Sequence, residues 1–273
     1  MLKIVSILEN TSSSKQYKKD HGLSLYIETK NHKILFDVGP NKKFLKNARK
    51  MGIVLEDVDI VVLSHGHKDH VGGLKHFLKM NKKAKIYVRQ SALEKHYIRV
   101  LGCYISIGFH YAKKDIKRFV FTQDIEKIDD EITLFSNVKM EGNLLVSNQK
   151  LFKKEKGKIV HDDFHHEQNL ILTLRSMNLL FCGCAHAGIL NILNKATSIA
   201  GPIFFVMGGF HLFNPPTKKY ESDELIDELA EALSKTDTLF YTCHCTGRKA
   251  YERMKIYLPN QLYYFHTGDI LEF

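Results

Sequence analysis

One stretch of the chain gathers most of its reactive side chains. Ser64-His65-Gly66-His67-Lys68-Asp69-His70-Val71-Gly72-Gly73-Leu74 places three histidines and one aspartate in six positions. Neutral imidazole and carboxylate are donors for zinc or another first-row ion, and His65 and His67, two apart on an extended turn, can project their rings to the same side. Asp69 and His70 fall on the next bend. There they could hold a second ion, or Asp69 could act as a base or orient a ligand. The glycines at 66, 72 and 73 suit a tight loop in which backbone and side chains crowd together. Four potential ligands so close together directly after a buried strand rarely arise from packing alone.

The cysteines form a second pattern. Four of the five lie in two short stretches, Cys182/Cys184 and Cys243/Cys245, and each stretch also holds a histidine, His186 or His244. Five cysteines in 273 residues do not make a disulfide framework. Cys182 reads as a packed strand residue, whereas Cys184, Cys243 and Cys245 each lie within two residues of a histidine, where a thiolate would favour a soft ion such as zinc or iron. None of the common four-cysteine cluster spacings is present. His211 follows an apolar strand and Gly208-Gly209, a position from which it could contact substrate, assist a leaving group or cap the sheet edge. Asp37 ends a strand and could brace the histidine loop by accepting backbone N–H bonds. His266 and Asp269 read as turn residues.

Elements of alternating or continuous apolar character must position these side chains. Strands are expected over 3–8, 23–29, 33–37 and 59–63, the last delivering the chain to Ser64. Helices fit 42–51 and the segment after Gly73 up to Met80, followed by a strand at 85–88. Further on, 170–174 and 179–182 read as a hairpin around Arg175-Ser176-Met177-Asn178. A helix fits 188–199 and a strand 202–207. Ser222, with Asp223 and Glu224 behind it, starts a helix to Lys235 that carries Leu225, Ile226, Leu229 and Leu233 on one face. A strand at 238–242 follows. The stretch 93–164 mixes short apolar runs with lysine-rich loops and reads as a variable insertion or lid within one domain spanning 1–273.

Hydrophobic residues make up 44% and charged residues 26%, the balance of a soluble globular protein. The opening MLKIVSILEN has no signal-peptide core, and no apolar run reaches membrane-spanning length, so the expected location is cytoplasmic with no membrane partner. The net charge of +10 comes largely from lysine runs with few interleaved aromatics. These read as solvated surface that could steer an anionic small-molecule substrate, and no nucleic-acid motif accompanies them.

The histidine loop matches the H-x-H-x-D-H signature of the metallo-β-lactamase superfamily, which the chain therefore resembles. Further pieces follow in the expected order: Phe36-Asp37-Val38-Gly39, Gly183-Cys184-Ala185-His186 and His244-Cys245-Thr246-Gly247. Together with Asp162-Asp163, Glu167-Gln168 and Gly208-Gly209-Phe210-His211-Leu212, they look like the branch that includes the archaeal dihydropterin ribofuranosylaminobenzene 5'-phosphate synthase. The resemblance spans roughly residues 4–270. It implies an αββα four-layer sandwich with the metal site on loops at one edge of its sheets. It also implies that His65, His67 and His186 form one metal site and Asp69, His70 and His244 another. Where many members carry a bridging aspartate this chain has Cys184, a candidate thiolate ligand. His165 or His166 is the alternative to His186.

The expected activity is a metal-dependent hydrolase or group-transfer enzyme acting on an ester, lactone or phosphate-type substrate. One or two divalent ions are expected, zinc first and iron or manganese as alternatives, with Asp69 and His211 as catalytic residues. The resemblance adds a transferase alternative, the joining of a pterin diphosphate to ribofuranosylaminobenzene phosphate. An iron-binding redox or electron-transfer protein on the same fold is the third reading.

Overall fold

Short β-branched runs such as Ile60–Val62, ended by a turn or a charged loop, become strands, and the amphipathic stretches between them become helices. The computed structural model describes residues 1–142, 145–175 and 177–273. Its α-helices are α1 (Lys43–Lys50), α2 (Lys68–Val71), α3 (Leu74–Met80), α4 (Ile189–Ala200), α5 (Asp223–Ser234) and α6 (Arg248–Tyr257). With two seven-stranded sheets among the described residues, this is the mixed α/β class implied by the sequence. The chain divides into two compact units. The first comprises Met1–His96, Ile107–Thr122 and Phe265–Phe273, and the second Tyr97–Ser106 and Gln123–Tyr264.

In the first unit the sheet runs Ile270–Glu272, Lys3–Leu8, Ser24–Glu28, Lys33–Phe36, Ile60–Val62, Lys85–Val88, Phe119–Phe121. Its first four strands pair antiparallel and the rest join in parallel. α1 and α3 lie in the crossovers between parallel strands, and their Phe44, Ala48, Leu74 and Phe77 share an apolar cluster with Leu35, Val61 and Ile86. Each such large side chain contributes about 1.5–3 kcal/mol by leaving water. The alternate residues Ile34, Phe36, Ile60 and Val62 are buried as well, which is why these strands read as continuous apolar runs.

In the second unit the order is Leu262–Tyr264, Leu239–Thr242, Ile203–Gly208, Met177–Phe181, Gln168–Leu174, Ile132–Ser136, Ile125–Lys127. The last four pair antiparallel and the first four in parallel, with α4, α5 and α6 as crossovers. The Ser222 hydroxyl accepts the Leu225 N–H at 3.2 Å and so caps α5 as expected. The hairpin is tighter than expected, because Leu174 pairs with Met177 and Thr173 with Asn178, so two of the four anticipated turn residues belong to the strand. Ser176 of that turn lies outside the described residues. The stretch 93–164 contains two hairpins, His96–Val100 with Cys103–Ser106 and Leu151–Glu155 with Lys158–His161, which share a four-stranded sheet. Among the described residues no helix is long and apolar enough to cross a membrane.

Candidate metal centre

Both units place their reactive side chains on loops leaving the carboxyl ends of parallel strands, where open α/β sheets bind ligands. In the first unit, Lys33–Phe36 runs into Asp37 and Ile60–Val62 runs into Ser64 to His70. Asp37 is fully buried and left-handed (φ 58°), a strained conformation held by its bonds. Its carboxylate accepts the Ser64 N–H at 2.8 Å, the Ser64 hydroxyl at 2.6 Å and His70 Nδ1–H at 2.7 Å. The Ser64 hydroxyl in turn accepts His65 Nδ1–H at 2.8 Å. This network assigns the proton of both rings to Nδ1 and leaves the Nε2 lone pairs of His65 and His70 available to a metal ion.

The ring centroid of His65 lies 4.7 Å from that of His67 and 4.2 Å from that of His70. His67 caps the one-turn helix α2, so Asp69 and His70 sit on a helical turn. The Asp69 carboxylate lies 3.3 Å from His21 Nε2 and 3.6 Å from His70 Nε2. Gly66 has no room for a side chain, since a Cβ would stand 2.5 Å from the Ala92 carbonyl oxygen. Buried, braced imidazole nitrogens beside a half-buried carboxylate fit a first-row divalent ion.

In the second unit, Cys184 and His186 follow Met177–Phe181, His211 follows Ile203–Gly208, and His244 and Cys245 follow Leu239–Thr242. All five are buried. His186 repeats the first unit's logic: its Nδ1–H donates to Asn148 Oδ1 at 2.8 Å, leaving the Nε2 lone pair available, and its ring stacks on Phe164 at 4.5 Å. Glu167 accepts the backbone N–H groups of His186 at 2.7 Å and Ala187 at 3.1 Å. Burial outweighs those two bonds and pushes the Glu167 carboxyl up to about 7. Burial also raises the Cys245 thiol, but contact with Cys184, the charge of His244 and the neighbouring His211 together hold it well below the usual thiol range. Ala185, His211 and His244 are all left-handed (φ 55°, 53° and 50°), so backbone strain gathers on these three loops.

The family model described as the metallo-beta-lactamase superfamily matches residues 17–230. The chain belongs to the metallo-beta-lactamase superfamily. Two curated relatives come from Methanocaldococcus jannaschii. One is an uncharacterized protein, 29% identical over 98% of this chain and 99% of its own length. The other is a 7,8-dihydropterin-6-methyl-4-(beta-D-ribofuranosyl)-aminobenzene-5'-phosphate synthase, 26% identical over 100% of this chain and 97% of its own. A solved metal-dependent hydrolase of the beta-lactamase superfamily superimposes with a TM-score of 0.85 at 27% identity, covering 100% of this chain and 99% of that one. The metallo-β-lactamase fold implied by the sequence is thus the fold of this chain.

Of the superfamily residues named from the sequence, His65, His67, Asp69 and His70 come together in the first unit. In the second, His186 lies beside His211, with ring centroids 4.1 Å apart, and Cys184 lies with His211 and Cys245. The two alternatives to His186 differ: His165 is exposed and pairs with Asp163, whereas His166 is buried against Asp162 at 3.2 Å. The sequence reading passed over His21, which reaches Asp69, and His96, whose ring lies 5.6 Å from that of His67. Both are lone histidines without local pattern. It also passed over the bracing role of Glu167, although the adjacent His165-His166 marked that segment.

Proposed function

We propose that the chain is a metal-dependent hydrolase or group-transfer enzyme acting on an anionic ester, lactone or phosphate-type substrate. The observation that carries this reading is the Asp37–Ser64–His65–His70 network, which spends four buried polar contacts to present two imidazole Nε2 atoms as ligands. His65, His67, Asp69 and His70 would hold an ion. A divalent ion held there would supply Lewis acidity and a nucleophilic water at neutral pH.

The chain's own groups do the rest. Asp69, set between His21 and His70, orients the attacking water by accepting its hydrogen bond at a carboxylate oxygen. Asp37 keeps the two rings in the ligand tautomer throughout. The net charge of +10 favours capture of an anion.

A second reading is favoured by the synthase relative, which matches this chain from end to end. In it, the site joins a pterin diphosphate to ribofuranosylaminobenzene phosphate with loss of diphosphate, and a bound cation would supply positive charge to that leaving group. A third, the iron redox protein, draws on Cys184 and Cys245. Turnover of the zinc-, manganese- and iron-loaded protein on a panel of esters, lactones and phosphodiesters, set beside the pterin and arylamine pair, separates the first two. Hydrolysis of panel members abolished by His67→Ala supports the hydrolase. Turnover confined to the pair supports the synthase. A visible chromophore with neither activity supports the redox reading.

A further inference from the structure

We infer that the first unit carries a second binding site, a basic cleft at the end of its sheet away from the histidine loop, which takes a chain of linked phosphates. One wall is α3 and the residues just beyond it, with Lys75, Lys79 and Lys82. The other is the short 3-10 turn Lys113–Arg118, with Lys114 and Lys117. The cleft measures about 510 Å³, within the range of small-molecule sites. Its walls lead into the amino ends of the parallel neighbours Lys85–Val88 and Phe119–Phe121, whereas the histidine loop leaves the carboxyl end of Ile60–Val62 in the same sheet.

The charge of this cleft is uncompensated. With Arg118, its lining holds six cationic side chains against one carboxylate, Asp115, a net charge of +5. Elsewhere on the chain Lys33, Lys43, Lys127 and Lys153 each lie within 3.0 Å of a carboxylate oxygen. Among the described residues, Lys75, Lys79, Lys114 and Lys117 make no such pair. Like charges gathered around one cleft repel, and a bound anion relieves that cost. The same charges reach His76, whose imidazole is held below its ordinary range by burial and then by Lys75, Lys79 and Lys42.

The two walls are tied together. The Arg118 guanidinium donates to the Asn81 carbonyl at 2.6 Å, to Asn81 Oδ1 at 2.8 Å and to the Ala84 carbonyl at 2.7 Å, which locks the turn to the segment after α3. Lys82 Nζ donates to the Leu78 carbonyl at 3.2 Å. Arg118 and Lys82 thus hold the frame, and the ammonium groups of Lys75, Lys79, Lys114 and Lys117 are left for a ligand in a cleft of preset width. A single phosphate carries at most about two negative charges, too few for four ammonium groups, and linked phosphates supply more. Among the described residues that line the cleft there is no aromatic side chain, so a nucleic-acid base has nothing to stack on. That favours a phosphate chain over a nucleic-acid strand.

The inference does not rest on the hydrolase reading and is tested by calorimetric titration of the full chain at physiological ionic strength. The probes are tripolyphosphate, a nucleoside triphosphate, orthophosphate and a mixed-sequence single-stranded RNA. Tripolyphosphate is expected to bind the wild type and His67→Ala alike, and orthophosphate far more weakly. Lys79→Glu and Lys117→Glu, one on each wall, are each expected to weaken tripolyphosphate about tenfold, the loss of one charge-assisted contact. Lys158→Glu makes the same change in net charge at an exposed lysine of the second unit and is expected to leave the affinity unchanged. A nucleoside triphosphate bound as tightly as tripolyphosphate supports recognition of the phosphates alone, and one bound more tightly supports a nucleotide as their source. Equal weakening by Lys158→Glu overturns the proposal, because only the overall charge would then be acting. Loss of binding in His67→Ala overturns it by placing the anion at the histidine loop. Orthophosphate bound as tightly as tripolyphosphate, or RNA bound more tightly than either and lost in the same two variants, overturns it as well.

Discussion

The two units solve the same problem in different ways. The first concentrates His65, His67, Asp69 and His70 on one loop and braces them from one buried carboxylate, Asp37. The second distributes Cys184, His186, His211, His244 and Cys245 over three loops and braces one of them from Glu167. Local spacing therefore announces the first set, whereas only the order of parallel strands reveals that the second set belongs together. In both, buried imidazoles are held through Nδ1, by Ser64 and Asp37 in one unit and by Asn148 in the other.

The comparison is sharpened by removing each brace. Asp37→Ala leaves the Ser64 N–H, the Ser64 hydroxyl and His70 Nδ1–H without their acceptor in a fully buried position. It should cost about 3–5 kcal/mol in urea unfolding, together with bound metal. Glu167→Ala strips two backbone N–H groups of their acceptor and should cost about 2–4 kcal/mol by the same measurement. A loss smaller for Asp37 than for Glu167 would reverse the ranking of the two braces. Gly66→Ala drives a Cβ into the Ala92 carbonyl and should cost about 1–3 kcal/mol. Ser222→Ala removes only a helix cap, so it should lower stability by about 1 kcal/mol and leave metal content unchanged.

The histidine loop was legible because its donors are neighbours in sequence. So was α5, whose cap and apolar positions coincide, with Ile226 and Leu233 buried as the period requires. α6 was not legible, since Arg248–Tyr257 is largely polar and buries only Ala250 and Met254. The hairpins at His96–Val100 with Cys103–Ser106 and Leu151–Glu155 with Lys158–His161 escaped for a related reason. Their strands are short, and the Cys103–Ser106 strand is exposed along its whole length, so no alternation marks it. His21 and His96 were invisible because their relevance comes from contacts with residues 48 and 29 positions away in sequence, His21 with Asp69 and His96 with His67. Asp37 carried a partial signal: its place at the end of a strand suggested backbone N–H acceptance, and the structure adds Ser64 Oγ and His70 Nδ1.

The most direct test of the account is elemental analysis of the full-length protein purified without added metal, beside His67→Ala prepared in the same way. The account predicts zinc or another divalent ion in the wild type and loss of all or about half of it in the variant. A wild type that stays free of metal even after reconstitution, or a variant with undiminished metal content, would contradict it.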